Sequence, residues 1–464
     1  MALAATCQWE VRTGGSDDNG GAFNSAAAGT DYTLQNAAQK TGTDLTMHPT
    51  INTRVQPVGA GVAAADVGNV IQVRAGTGWT VGWYEITAQD GTYWTLDRSP
   101  AAAGSANLGT YNMGGALASP GKLGEALANS NSRASGMNCW IKSGTYTITT
   151  TTANVSNGRV SLPTGIMLKI EGYNSTRGDL GTKPVISAGT QNSFTIFTTN
   201  GDFNNKLQFV VNLEFNGNSQ TSVRGINPTS LYQDRVWNCR AKDCTNSGFF
   251  GPGAYASCIA ESCNIGFNLQ TNEATFYGCV AFSCTSDGFL LAATVANNFA
   301  VNCLSYNNGG RGFNNGGGYP VSYVNCTAHG NASDGFDFQT YGINQAINCL
   351  ATNNGGWGFN LSNRDTFLIN CAGRSNTTGN VDTTTVPFIN QGFVTLTADP
   401  YQNAAGADFR LNNTAGGGAA LRGLGIGVTG QTDSQDIGAV QTAAGSSGGG
   451  GLILPRPMNG GYSA

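Results

Sequence analysis

Apolar and polar residues alternate along this chain in short runs, and Gly, Asn or Ser cuts off each run within a few positions. The repeated part of the chain holds no long segment with the 3.6-residue apolar period of an amphipathic helix. It reads instead as a series of short strands separated by turns. The runs are in step with one another. NCLSYNNGGRGFNN at residues 302–315 and NCTAHGNASDGFDFQ at residues 325–339 share one layout: a Cys, an Asn five positions on, then Gly-Phe. Cys239, Cys258, Cys279, Cys303, Cys326, Cys349 and Cys371 follow one another at intervals of 19, 21, 24, 23, 23 and 22 residues. Five residues after each stand Cys244, Cys263, Cys284, Asn308, Asn331, Asn354 and Asn376. The Gly of Gly-Phe falls at Gly248, Gly266, Gly288, Gly312, Gly335 and Gly358.

A fixed period of about 23 residues marks a solenoid. The Leu framework of a leucine-rich repeat is missing, which leaves a parallel β-helix with one repeat per coil. Coils stack at the inter-strand spacing of roughly 4.8 Å, so a residue at a fixed offset lies over its equivalent in the previous coil. The residue choices then have reasons. A column of Cys, small and apolar, fills the interior evenly. Stacked Asn amides hydrogen-bond along their column. Gly before Phe is expected to permit a sharp bend, with Phe pointing inward. Ten of the twelve Cys read as core packing rather than metal ligands, because CxxC and CxxxC pairs with His are absent.

The segments KLGEALANS, NCWIKSGTYTIT, LPTGIMLKIEGYN, KPVISAG and LQFVVNLEFNG, between residues 122 and 217, together with the C-terminal ADFRLNNTAGGGAALRGLGIG and DSQDIGAV, resemble right-handed parallel β-helix proteins of the pectate-lyase type. The resemblance spans roughly residues 115–441. It implies an all-β fold, a right-handed parallel β-helix whose end is capped by a short helix. Residues 1–45 read as a β-helix entry segment and residues 113–441 as the helix itself. Residues 46–112 alternate apolar and polar around a DG turn, as a small inserted antiparallel β module does. Residues 442–464 are a Gly/Ser linker followed by the apolar peptide LILP. The opening, WEVR before a Gly/Asn-rich loop and such a module, resembles β-helix proteins of tailed bacteriophages, both capsid decoration proteins and tailspikes. That resemblance implies a virion location, a homotrimer, and the major capsid protein or tail proteins as partners, with host surface polysaccharide as a further one.

Composition narrows the function classes. Charged residues make up 11% of the chain and the formal net charge is -4, so no clustered Lys and Arg invite nucleic acid or an anionic membrane. No apolar run is long enough to cross a bilayer. MALAATCQWEVR lacks the basic start and the long apolar stretch of a secretory signal peptide. Reduced thiols and assembly in a host cytoplasm follow from that reading. Nothing in the sequence calls for a cofactor or a metal.

Candidate chemistry is sparse. Of the two His, His48 and His329, the second falls in TAHGN and reads as a turn residue. GIGVTG at residues 425–430 matches GxGxxG without the strand–turn–helix context that gives the motif meaning. Registering the coils gives one constellation. The residue before Gly-Phe is Ser247, Ile265, Asp287, Arg311, Asp334 and Trp357 in turn, and an outward column runs Asn268, Leu290, Asn314, Asp337, Asn360. Asp287 and Asp334 lie two coils apart, about 10 Å, a separation that suits an inverting glycosidase. Asp287, Asp334 and Asp337 are the candidate catalytic residues; Arg311, Asn314, Trp357 and Asn360 are the candidate substrate-binding residues. The plain alternative is a salt-bridge ladder, with Arg311 shielding two Asp. The pectate-lyase calcium cluster does not map onto these coils. Three functions stay open: a structural virion protein, a tailspike that cleaves host polysaccharide, and a bacterial polysaccharide lyase.

Overall fold

The computed structural model describes residues 2–105, 107–201, 207–229, 234–269, 274–292, 298–317, 319–338, 343–361, 366–382, 389–425 and 436–440. The GIGVTG match, beyond its first residue, and the tail 442–464 lie outside the described residues. The chain divides into two compact units, Met1–Arg235 and Val236–Ala464.

In the second unit each repeat makes one coil of three strands. One coil is Asn298–Val301, Leu304–Tyr306 and Phe313–Asn314; the next is Val321–Val324, Thr327–His329 and Phe336–Asp337. Strands at the same place in successive coils pair in parallel and in register: Ala300 on Tyr323, Ser305 on Ala328, Phe313 on Phe336. Three parallel sheets result, numbered here 1 to 3 in the order the chain visits them. This is a parallel β-helix.

The interior is a set of columns. The Cys from Cys239 to Cys371 are fully buried and reduced. The rings of Phe249, Phe267, Phe289, Phe313, Phe336 and Phe359 stack at 4.6, 4.6, 4.7, 4.8 and 4.9 Å. The Asn column is a buried amide ladder. Asn308 Nδ2 donates to Asn331 Oδ1 at 2.9 Å, Asn331 to Asn354 at 3.0 Å, and Asn354 to Asn376 at 2.9 Å. Each Oδ1 also accepts a backbone N–H from the coil before, as Asn354 does from Asn331 N at 3.1 Å. A buried amide is costly unless its bonds are made, and here they are.

Two details differ from the sequence reading. The bends are made by the residue before each column member, held at positive φ: Asn302, Asn325 and Asn348 before the Cys, and Asn307, Gly330 and Asn353 before the Asn. Asn tolerates this left-handed conformation better than other non-Gly residues. Gly before Phe has no positive φ. It is Gly because the site is crowded: a Cβ on Gly312 would lie 2.7 Å from Gly335 O and 2.8 Å from Asn331 Nδ2. The second difference is His329, which ends a strand and is buried rather than in a turn. Its Nδ1 lies 2.8 Å from Thr352 Oγ1, and Tyr401 and Phe409 meet its ring edge-on. Those aromatics belong to an antiparallel pair, Tyr401–Asn403 with Asp408–Leu411, that folds back over the outer face of sheet 2. Leu304, Leu350 and Ala372 are covered there by Leu411, Ile437 and Val440, and Ala439 N donates to Thr327 Oγ1 at 2.8 Å.

In the first unit the opening strand Cys7–Val11 pairs in parallel with Met137–Lys142, which pairs with Leu168–Tyr173. The nine-residue helix Pro120–Ala128 starts at Ser119, whose hydroxyl accepts from Lys122 N. Between the opening strand and this helix stands a closed antiparallel barrel, its strands running from Lys40–Met47 to Gly109–Met113. Its DG turn is Asp90-Gly91, with Gly91 at φ +87° and Asp90 Oδ1 accepting from Thr92 N and Tyr93 N. Leu45, Val55, Ile71, Ile86 and Trp94 fill the interior, and buried Asp66 takes Lys40 Nζ at 2.6 Å and Trp94 Nε1 at 2.9 Å.

Column packing makes a sharp contrast testable. Cys326→Asp places a charge in an apolar column and is expected to cost several kcal/mol, whereas Cys326→Ala removes one sulfur and costs of order 1 kcal/mol. Gly312→Ala should cost about 1–3 kcal/mol by overpacking. Chemical denaturation of the three variants measures this; equal midpoints for Cys326→Asp and wild type would rule out the stacked column.

Candidate functional site

The seven candidate residues come together on sheet 3 of the second unit because the coils are in register. Asn314 pairs with Asp337, and Asp337 with Asn360. One coil earlier, Asp287 sits at the corner that Asp334 occupies two coils later.

Asp287 and Asp334 repeat one arrangement. Asp287 Oδ1 accepts from Arg311 N at 2.8 Å and its Oδ2 from Asn314 Nδ2 at 2.7 Å. Asp334 Oδ1 accepts from Trp357 N at 2.6 Å and its Oδ2 from Asn360 Nδ2 at 3.0 Å. Each carboxylate thus staples its own coil to the following one, and both are nearly buried. The Gly-Gly pairs before Arg311 and Trp357 let the chain pass this close: a Cβ on Gly310 or Gly356 would lie 2.5 or 2.2 Å from the Asp oxygen. The Trp357 ring lies against Gly379, where a Cβ would come within 2.4 Å of it.

Asp337 differs. It is 0% exposed, and neither oxygen accepts a hydrogen bond among the described residues. Arg311 Nε lies 2.5 Å from Asp337 Oδ2 and 3.9 Å from Asp334 Oδ2, as an ion pair without hydrogen-bond alignment. The Oδ1 of its register neighbour Asn314 is likewise buried and unpartnered. Burial pushes the Asp337 carboxyl up to about 7; Arg311 opposes the shift, while Asp334 and Asp287 add to it. Desolvation outweighs one imperfect ion pair.

The arrangement therefore holds a near-neutral carboxyl under a half-exposed guanidinium, with the two flanking acids committed to backbone and amide donors. Arg311 pairs with Asp337 and Asp334, and it meets Asp287 through its backbone N–H rather than its side chain. Among the described residues no group of three His, Cys, Asp or Glu is placed to hold a metal ion.

Sequence reasoning missed a second polar cluster, in the first unit. Glu10, 0% exposed, accepts from Arg12 Nε at 2.8 Å, from Arg177 Nε at 2.9 Å and from the Tyr173 hydroxyl, and Arg177 continues to Asp31 at 2.9 Å. The WEVR motif puts Glu10 and Arg12 on one side of a strand, but nothing local points to Arg177. Every member is satisfied, so the cluster fastens the entry segment to the coils.

No protein-family model matches the chain, and no curated protein matches it. Among solved structures, it is similar to the pectate lyase Pel9A, with 17% identity, TM-score 0.48, and 68% of this chain and 89% of the other covered. It is also similar to the A-module of the mannuronan C-5 epimerase AlgE4 of Azotobacter vinelandii, with 14% identity, TM-score 0.35, and 56% and 87% covered. The catalytic domain of a GH87 α-1,3-glucanase, solved with tetrasaccharides, gives 12% identity, TM-score 0.28, and 75% and 90% covered.

The state of Asp337 sets a pH dependence. Its folded pKa, about 7, lies above the ~3.9 of an unfolded Asp. Between these values the native state holds a proton that the unfolded chain has released. The contribution of this group is therefore full only below about pH 4, falls as pH rises from there, by at most about 1.4 kcal/mol per pH unit, and is gone above about 7. Urea unfolding from pH 5 to 8 should show a downward slope in wild type that Asp337→Asn flattens. Parallel slopes would refute the assignment.

Proposed function

We propose that the chain is a structural protein of a tailed-bacteriophage particle, a β-helix displayed on the capsid or tail surface and held there by the major capsid protein or by tail proteins. The observation that carries this reading is the commitment of the carboxylates. Asp287 and Asp334 spend both oxygens on coil-to-coil hydrogen bonds, and Asp337 is fully buried. An inverting pair needs one acid and one base open to a sugar and a water between them. Acids used as staples serve rigidity instead, and rigidity suits a protein exposed on a particle. The Asn ladder and the Phe stack serve the same end.

One observation favours a tailspike enzyme as the second reading. A carboxyl near 7 beside Arg311 has the protonation state a general acid needs at neutral pH. It would have to be uncovered by a substrate before it could act.

Two measurements separate the readings. Quantitative mass spectrometry of purified particles should find this chain in proportion to the major capsid protein or a tail component; its absence from particles would overturn the proposal. The double variant Asp334→Asn, Asp337→Asn should leave incorporation intact. Wild-type depolymerisation of host surface polysaccharide that this variant abolishes would establish the enzyme instead.

A further inference from the structure

The antiparallel barrel of the first unit holds a lysine against an aspartate. Lys40 opens the strand Lys40–Met47, and Asp66 ends the short 3-10 turn Ala64–Asp66. Their side chains are 14% and 1% exposed, beside the fully buried ring of Trp94. Lys40 Nζ stands 2.6 Å from Asp66 Oδ2, against about 2.2 Å between the N and O of a single amide. The hydrogen bonds around the pair are lopsided. Asp66 Oδ2 accepts from Lys40 Nζ, from Ala63 N at 2.8 Å and from Trp94 Nε1 at 2.9 Å, while Oδ1 is buried and has no partner. Lys40 Nζ also donates to Gly61 O at 3.0 Å.

We infer that Lys40 and Asp66 condense to an isopeptide bond, Nζ to Cγ, with loss of one water. The donors and acceptors of the site fit an amide better than an ion pair. An amide has one oxygen, and Oδ2 already has two donors besides Lys40. It has one N–H, and Gly61 O is placed to accept it. The oxygen that leaves is Oδ1, the one without a partner. Condensation also removes two charges from a buried site, where an ion pair with one bare oxygen is costly. In the step, one ammonium proton passes to the carboxylate, the freed lone pair of Nζ attacks Cγ, and the Cγ–Oδ1 bond breaks. Oδ1 departs as water with that proton and a second one from Nζ, and the third proton stays as the amide N–H. No oxidant or further reactant enters. The fold supplies what free amine and acid lack in water: the two groups are held in contact and bulk water is kept out. Tyr111 adds a proton donor beside the pair. Its hydroxyl has no partner among the described residues, burial keeps it protonated, and the charges of Asp44 and Asp66 act on it. The bond ties the first barrel strand to the turn that precedes the strand Val70–Ala75, across 26 positions of sequence. The inference does not depend on the particle reading.

The intact mass of the denatured full chain tests it. Wild type is expected to weigh one water less than its sequence, and proteolysis should release a branched peptide joining Lys40 to Asp66. Lys40→Arg keeps the positive charge and has no ammonium to condense, so its mass should equal its sequence mass. That variant also separates the bond from water loss at Asp90-Gly91, which would persist in it. Should Lys40→Arg misfold, the branched peptide of wild type decides by itself. A wild type at its full sequence mass would overturn the inference. So would a water loss that Lys40→Arg retains, or a branched peptide that joins any other pair.

Discussion

The structure rests on one constraint. Each coil of the second unit must bond its backbone to the next at the strand spacing, in parallel and without slip, so every side chain lies on its own equivalent. The sequence is restricted to residues that tolerate their own copy overhead. Cys does, being small and apolar. Phe does, because rings at 4.6–4.9 Å stack. Asn does better, since an amide carries both donors and acceptors and a column of amides satisfies itself. Burial pushes the thiol of Cys326 well above its ordinary pKa, so this thiol stays protonated at neutral pH and does not repel its neighbours.

Charge is the residue property that stacks worst, and the acidic locus on sheet 3 shows how the problem is met. Asp287 and Asp334 are separated by the Arg311 coil, and each faces N–H donors from the coil that follows. Asp337 has Asn314 on one side and Asn360 on the other. What looks in sequence like a pair of catalytic carboxylates is, in three dimensions, a set of staples with one strained member. Asp337 is that member: burial pushes its carboxyl up to about 7, and among the described residues no donor aligns with either oxygen.

The columns were legible because a period multiplies a weak local signal: one Cys says nothing, whereas seven in step say where the interior is. The antiparallel module was legible as well, since alternation around a turn is a local property, while the short helix was expected only from the resemblance. Less legible was anything set by a distant partner. The His329 environment depends on Tyr401 and Phe409, some seventy to eighty residues away, and TAHGN on its own looks like a turn. The role of Gly312 depends on Asn331 in the next coil, so it could not be told from a bend-forming Gly until the coils were stacked. The candidate site residues were brought together because they follow the period. Whether their oxygens were free or committed was not a periodic property and had to be read from hydrogen bonds.

The three outer faces show what the constraint leaves to vary. Inside, each column is fixed by self-stacking; outside, each sheet can be treated differently. Sheet 2 presents Leu304, Leu350 and Ala372 and is roofed by the returning chain. Sheet 3 carries the charged corner residues and is half solvated. Sheet 1 stacks Tyr277, Val301, Val324, Ile347 and Ile369 outward, exposed at Tyr277 and buried at Val324. An outward column stacks like on like just as an inward one does, and neighbouring apolar side chains shield one another along it. The five-coil run from Tyr277 to Ile369 is therefore the register constraint carried through to an outer face.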